Sequence, residues 1–220
     1  MPRFDTLTPI HKALRALVYE VGGDLQTADF ADEMEAAGAA ADLELALHLM
    51  RDHHTTEEVY VYPQLQPLEE QLVASMLEQH AGVERLLDVA DAARRQMRAG
   101  DAEDRILAGA DVNCRFNELV AFYFEHLAQE EAKVLPATWR HFDDAQLMAI
   151  QGTIIAGMDP DELFQWLGWM FKGLNRAELV GMLRGAKVGM PPEALEAVRD
   201  LGEATMEPAA WQVVREQAGL

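Results

Sequence analysis

Cysteine is almost absent from this chain: Cys114 is the only one in 220 residues. A single cysteine cannot form an internal disulfide bond or a cluster of thiolate ligands, which excludes a disulfide-stabilised scaffold and a cysteine-rich zinc site. Cys114 lies in a segment with helical spacing, and we predict that it is buried there as a small apolar residue. A chain without disulfides is typical of a reducing compartment.

Long apolar runs are also missing. The sequence has no stretch of about 18 apolar residues, the length that a membrane-spanning helix needs. Its first five residues, Met-Pro-Arg-Phe-Asp, lack the apolar core of a signal peptide. These absences predict a soluble, cytoplasmic protein without a membrane partner.

Basic residues are scarce, since 18 Lys and Arg stand against 38 Asp and Glu, a formal net charge of −20. Such a surface repels phosphate backbones and anionic lipids, which argues against a nucleic-acid or membrane-surface partner. Acidity alone is also typical of a well-solvated surface, so it does not by itself indicate a metal site.

Alternating runs of Val, Ile and Thr, the pattern of a sheet protein, are absent, whereas helical spacing of apolar residues dominates. Four long helices are predicted, from Thr8 to about Gly22, from 29–32 to about Pro63, from beyond Pro67 to about Gly100, and from 101–104 to about Pro136. Because proline lacks an amide hydrogen and clashes with the preceding turn, Pro63 and Pro136 should end or bend their helices. Short connections between long helices favour an all-α fold, an up-down-up-down four-helix bundle over residues 1–140. Its fourth helix carries the apolar residues Ile106, Val120, Phe122 and Tyr123.

Residues 141–220 are predicted to form a C-terminal helical extension. Asp159-Pro160-Asp161-Glu162 combines a capping residue, a proline at the first helical position and acids in the first turn. Further short helices are expected near 176–186, 191–201 and 208–217. The apolar face that follows Asp159, with Trp166 and Phe171, is expected to be core or a docking surface and not a cofactor site.

A histidine–glutamate pattern occurs twice in the first 140 residues. Four of the seven histidines have a glutamate four residues later, and the segment around His53 and Glu57 is repeated 73 residues further on around His126 and Glu130. Residues i and i+4 lie on the same face of a helix, so each pair could bind one metal ion.

A single histidine also precedes each copy: His11 before the first, and His80, followed by Glu84, before the second. One isolated pair is better explained as a helix-surface ion pair, which contributes only tenths of a kcal/mol. Four histidines and three carboxylates meeting in a bundle core, however, would be costly to bury without a metal. The predicted ligands are His11, His53, Glu57, His80, Glu84, His126 and Glu130.

The tandem His53-His54 requires a choice, and alignment of the two copies selects His53. His54 and Glu58 are rotated by about 100° around the helix. They and Glu131 are expected to orient the ligands from outside the site or to face solvent. Tyr60, three residues after Glu57, lies on the ligand face, where it would either approach the metal or pack in the core.

Imidazole and carboxylate ligands without thiolate suit iron or manganese and permit zinc. Two six-coordinate ions offer more coordination positions than these side chains fill. The site is therefore expected to be open to a bridging oxygen or to a small exogenous molecule.

These residues resemble the hemerythrin-like family, the HHE cation-binding domain. The family has a histidine on helix one, His-x-x-x-Glu on helix two, a histidine on helix three and His-x-x-x-Glu on helix four, and the match covers about residues 5–140. The resemblance implies two non-haem iron ions bridged by Glu57 and Glu130. It implies His11 and His53 on one iron, and His80 and His126 on the other.

Oxygen-carrying hemerythrins have a further histidine where this chain has Glu84. An anionic carboxylate favours ferric iron, so the departure points away from reversible oxygen carriage. The resemblance implies a di-iron protein that binds or reacts with O2, NO or peroxide. Three alternatives stay open: a peroxidase-like, catalase-like or oxidase enzyme, a metal- or redox-responsive regulatory protein acting through residues 141–220, and a bundle without metal.

Overall fold

The computed structural model describes residues 3–97 and 100–220, and every regular element in those ranges is helical. This confirms the all-α prediction. The α-helices are α1 Thr8–Thr27, α2 Glu33–Thr56, α3 Tyr62–Leu65, α4 Glu70–Met97, α5 Ala102–Gln129, α6 Leu135–His141, α7 Asp144–Gly157, α8 Pro160–Gly173, α9 Arg176–Gly189, α10 Pro192–Thr205 and α11 Pro208–Ala218. None of the described helices has the length and apolar character needed to cross a membrane.

The chain divides into two compact units. The first contains Leu17–Ile154 together with the residues up to Asp5, and the second contains Thr6–Ala16 and Ile155–Leu220. The predicted domains, 1–140 and 141–220, stay a prediction.

In the first unit, α2 packs against α4 and α5, and α4 packs along α5. The later half of α1 lies against α5, where the Asn113 side chain donates a hydrogen bond to the Leu25 carbonyl at 2.9 Å. The rings of Tyr19 and Phe124 meet edge to face at 5.5 Å. Four long helical segments thus contribute to this unit, and their up-down-up-down order stays a prediction.

The predicted helix starts are confirmed by their caps. The Asp32 carboxylate accepts hydrogen bonds from two backbone amides at the start of α2, and Asp101 does the same for α5. The first helix continues past Gly22 to Thr27, because Gly22 allows the ring of Phe116 to approach the α1 backbone. The predicted end of the third helix near Gly100 adjoins residues 98 and 99, which lie outside the described residues.

Neither Pro63 nor Pro136 ends its helix. Each follows one π-helical turn, Glu57–Val61 and Glu130–Val134, and each lies in the first turn of the short α-helix after it, α3 or α6. A π-helical turn has hydrogen bonds from residue i+5 to residue i and holds one extra residue. The wider turn lets the helix accommodate a proline that would otherwise break it.

One prediction about α5 is wrong, since Cys114 is exposed and not buried. Of the apolar residues that the helix carries, Ile106 and Phe122 are 49% and 37% exposed, whereas Tyr123 is buried. The buried face of α5 is formed by residues that follow one helical stripe more strictly, Val112, Phe116, Leu119, Tyr123 and Leu127.

The second unit confirms the predicted C-terminal helices α8 to α11. Helix α7, most of which lies in the first unit, lies outside the predictions because apolar residues occur on all its sides. Asp159 caps α8 as predicted, and Pro160 is its first residue. The face with Trp166 and Phe171 is buried, so it is core. The ring of Phe171 meets Trp211 of α11 edge to face at 5.6 Å.

Candidate metal centre

Four predicted ligands from three helical segments meet inside the first unit. Nitrogen or carboxylate oxygen atoms of Glu57, His80, His126 and Glu130 all lie within 4.8 Å of one another, and all four side chains are buried. Imidazole nitrogens and carboxylate oxygens at this separation form a donor set that can hold a metal ion.

His53 extends this cluster on its other side. Its Nε2 atom lies 3.5 Å from Glu57 Oε1, and its donor atom lies within 4.8 Å of donors from Glu57 and Glu130. The second copy of the repeat has the matching pair, with His126 Nε2 at 3.3 Å from Glu130 Oε2. Donor atoms of the two glutamates thus belong both to a group with His53 and to a group with His80 and His126. For Glu57 the two oxygens are divided between them, since Oε1 lies 3.5 Å from His53 Nε2 and Oε2 lies 3.5 Å from His80 Nε2.

The two π-helical turns begin at these two glutamates. The amide of Tyr62 donates to the Glu57 carbonyl, and the amide of Leu135 donates to the Glu130 carbonyl. The repeat of 73 residues therefore includes the backbone distortion as well as the side chains. In the first copy the residue at i+5 from Glu57 is Tyr62, whose side chain contacts the cluster.

Tyr62 is the site residue that the sequence reasoning missed. Its buried hydroxyl donates a hydrogen bond to Glu130 Oε1 and lies 3.3 Å from His80 Nε2. Tyr60, expected on this face from α-helical spacing, is only partly buried. The one available signal was the position of Tyr62 directly before Pro63, since a proline there favours a distorted turn.

The outer nitrogens of two histidines have different acceptors. His80 Nδ1 lies 2.9 Å from a Glu58 carboxylate oxygen, and His126 Nδ1 lies 3.2 Å from the Gln79 amide oxygen. Carboxylate and amide oxygens only accept, so both imidazoles must donate from Nδ1. In a neutral imidazole this leaves the Nε2 atom, the one facing the glutamates, with a lone pair for a cation. Glu58 thus contacts the predicted ligand His80, one of the two positions that the sequence left open for it.

In the absence of a bound cation, raised pKa values keep protons on the buried groups of the cluster. Burial, and then the neighbouring Glu130 carboxylate, raise the pKa of Glu57 well above its ordinary value. Burial lowers the pKa of His80, but the carboxylates of Glu130 and Glu57 outweigh it and raise that pKa to about 10. Burial and the carboxylates of Glu57 and Glu130 also raise the pKa of Tyr62.

Glu57 is the residue whose environment fits a cation best. Both of its carboxylate oxygens are buried and accept no hydrogen bond from the described residues, and the nearest imidazole nitrogens of His53 and His80 lie at 3.5 Å. A buried carboxylate without donors is costly. Metal coordination would remove that cost.

Glu84 lies outside the cluster. One of its oxygens accepts from Arg51 Nε at 2.8 Å, and the other lies 3.4 Å from His54 Nε2. Its side chain is 40% exposed, whereas His54 is buried with its ring centre 5.2 Å from that of His80. Glu84 therefore contacts Arg51 and His54, and the structure does not bring it together with the other predicted ligands of this unit.

His11 is fully buried on α1, within the stretch Thr6–Ala16 that belongs to the second compact unit. A buried imidazole on an otherwise apolar helix face, between Leu7 and Leu14, requires a polar environment.

Comparison with known proteins gives one match. The family model of the hemerythrin HHE cation binding domain matches residues 3–138. No curated protein and no solved structure matches the chain.

Proposed function

Because this chain belongs to the hemerythrin HHE cation-binding family, we propose that it is a non-haem di-iron protein that binds or reacts with O2, NO or peroxide. The observation that carries the proposal is the position of Glu57 and Glu130. Both carboxylates belong to two overlapping groups of donor atoms, one that includes His53 and one that includes His80 and His126.

The proposed ligands of one iron are His11 and His53, those of the other are His80 and His126, and Glu57 and Glu130 bridge them. All six residues are buried, each with 4% exposure or less, and this burial supports the set. Two further observations support it: the inward Nε2 atoms of His80 and His126, and the absence of thiolate from the donor set. Manganese and zinc are the less favoured metals.

Glu84 as a seventh ligand stays a prediction. Its carboxylate is paired with Arg51, so binding a metal would require breaking that ion pair and turning the side chain inward.

Iron bound here would supply one-electron redox chemistry and a coordination position for a small molecule. The chain's own residues would control protons and water around it. Tyr62 holds a proton at its buried hydroxyl, between Glu130 and His80. Glu58 and Gln79 hold the imidazoles in the tautomer that presents Nε2.

Metal analysis of the purified full-length chain tests the proposal. We expect two equivalents of iron after reconstitution, and a visible spectrum that changes when the anaerobic protein meets air. The Glu57→Ala/Glu130→Ala variant should lose the metal. Glu78→Ala/Glu125→Ala, which changes two exposed glutamates on α4 and α5, is the matched control. Less than one equivalent of any transition metal in the unmodified chain would refute the proposal.

Measuring whether the iron-loaded chain consumes its small molecule distinguishes an enzyme from a protein that only binds that molecule. Steady consumption of peroxide by the iron-loaded chain, absent from the Glu57→Ala/Glu130→Ala variant, would establish a peroxidase- or catalase-like enzyme. A spectrum that returns to the ferrous form on degassing would establish reversible oxygen binding instead. Permanent oxidation after one exposure would exclude oxygen carriage.

A further inference from the structure

The two copies of the repeat differ at the residue that follows each π-helical turn. Tyr62 occupies that position in the first copy, and Leu135, 73 residues later, occupies it in the second. Both side chains are buried. Because leucine has no polar atom in its side chain, only the first copy supplies a hydroxyl at this position. The repeated arrangement is therefore chemically uneven.

The Tyr62 hydroxyl contacts the carboxylate of the second copy. It donates a hydrogen bond to Glu130 Oε1 and lies 3.3 Å from His80 Nε2. The other oxygen of Glu130, Oε2, lies 3.3 Å from His126 Nε2. The two oxygens of this carboxylate thus have different neighbours, since Oε1 has a hydroxyl donor and Oε2 has an imidazole nitrogen.

Glu57, the matching carboxylate of the first copy, has no such donor. Its Oε1 atom lies 3.5 Å from His53 Nε2, and its Oε2 atom lies 3.5 Å from His80 Nε2. Neither oxygen accepts a hydrogen bond from the described residues. The hydrogen bond from Tyr62 therefore makes the two proposed bridging carboxylates inequivalent. All the residues involved lie in the first compact unit.

A hydrogen bond donated to a carboxylate draws negative charge away from the metal that the carboxylate binds. Hydrogen bonds to metal ligands are one of the means by which a protein sets a reduction potential. Ferric iron carries one more positive charge than ferrous iron, so it loses more stabilisation when the charge of its ligand is reduced. The effect is largest in a buried site, where water screens charges least. The donor should therefore favour the ferrous state.

We infer that Tyr62 is a positioning residue that fixes the Glu130 carboxylate and raises the reduction potential of the bound iron. The inference rests on the proposed function and deepens it. Tyr62 acts through Glu130 and keeps its hydroxyl proton throughout. The electron that converts ferric to ferrous iron comes from a chemical reductant.

Reductive titration of the iron-loaded full-length chain tests the inference. Tyr62→Phe removes the hydroxyl and keeps the ring, whereas Tyr60→Phe, on the preceding π-helical turn and only partly buried, is the matched control. Titration with dithionite and redox mediators, followed by the visible spectrum, gives each potential. We expect Tyr62→Phe to have about a tenfold higher ratio of ferric to ferrous iron at a fixed ambient potential, a decrease of about 59 mV for one electron. Tyr60→Phe should match the unmodified chain.

A second modification keeps the test decisive if Tyr62→Phe does not fold or does not retain iron. 3-Fluorotyrosine incorporated at position 62 keeps both the ring and the hydroxyl, but its phenol is a stronger hydrogen-bond donor. The reduction potential should then rise. Opposite shifts on removing and on strengthening the donor are not expected from a merely structural role.

An unchanged potential after either modification would overturn the inference and leave the di-iron proposal intact. So would an intense visible band in the ferric unmodified chain that Tyr62→Phe lacks, since it would show that the Tyr62 oxygen binds iron directly. Less than one equivalent of iron in the unmodified chain would refute the proposed function, and this inference with it.

Discussion

At the scale of single residues, the centre depends on a few buried polar contacts. Tyr62 donates to Glu130, while Glu57 has no donor among the described residues. The histidine–glutamate pairs could be predicted from the sequence because i,i+4 spacing is a local property of a helix. Tyr62 could not, because its position depends on a π-helical turn that α-helical spacing does not describe.

Tyr62→Phe is expected to destabilise the metal-free protein. The change removes the hydroxyl that donates to Glu130 and leaves a buried acceptor without that donor, which costs about 1–3 kcal/mol. Urea denaturation of the chelated protein measures the free energy of unfolding. Tyr60→Phe, at a partly buried position on the same π-helical turn, is the control and should change it little. Equal stability of the two variants would show that the Tyr62 contact is not made in solution.

Stability of the metal-free protein should fall as the pH rises. The pKa of Glu57 is raised above 4.5, and the pKa of His80 is raised from 6.5 to about 10. Each group keeps a proton in the folded state at a pH where the unfolded chain has released it. This stabilisation is complete below the unfolded pKa and is lost as the pH rises through the folded pKa.

We therefore expect the free energy of unfolding to decrease between about pH 6.5 and 10 in the presence of chelator. Denaturant titrations at a series of pH values would show it. Glu57→Gln removes one of the carboxylates that raise the pKa of His80, so its slope should be smaller. A free energy that increases over this range would contradict the assignment.

At the scale of helices, local rules account for most boundaries. Asp32, Asp101 and Asp159 cap helices where the sequence predicts them, because capping depends only on the next three residues. The end of α1 was predicted too early, since Gly22 lies inside the helix, in close contact with Phe116, a residue distant in sequence. Tertiary contact thus overrides the ordinary preference of glycine for a helix end.

Close packing of α5 gives a stability prediction. A Cβ atom at Gly109 would collide with the ring of Phe30, so Gly109→Ala should lower the free energy of unfolding by about 1–3 kcal/mol. Gly38→Ala, on α2, meets no atom within 4 Å and should raise it by up to about 1 kcal/mol through helix propensity. Thermal and urea denaturation compare the two. Stabilisation by both substitutions would mean that Phe30 does not pack on Gly109.

At the scale of the whole molecule, charge is unevenly distributed. The excess of acidic over basic residues lies almost entirely in the first unit, the one that holds the cluster of carboxylates and histidines. Self-repulsion of like charges opposes compact structure and is screened by salt. An acidic unit also attracts cations, which suits a metal-binding role.

Moderate salt should therefore stabilise the metal-free protein. We expect its melting temperature to rise between about 0.05 and 0.5 M sodium chloride, since the Debye length falls well below the separation of most surface charges. Differential scanning calorimetry measures the change, and the same concentrations of an uncharged osmolyte provide the control. A melting temperature that falls with salt would show that ion pairs such as Lys12–Glu178 outweigh the net repulsion.

The sequence by itself determined the helices, their caps and the pairs His53–Glu57 and His126–Glu130, because each depends on residues within one or two helical turns. Only the tertiary structure decided that Tyr62 enters the site, that Glu84 pairs with Arg51 and that α1 is shared between two units. These outcomes depend on which distant helices meet. A repeating pattern along one helix does not contain that information.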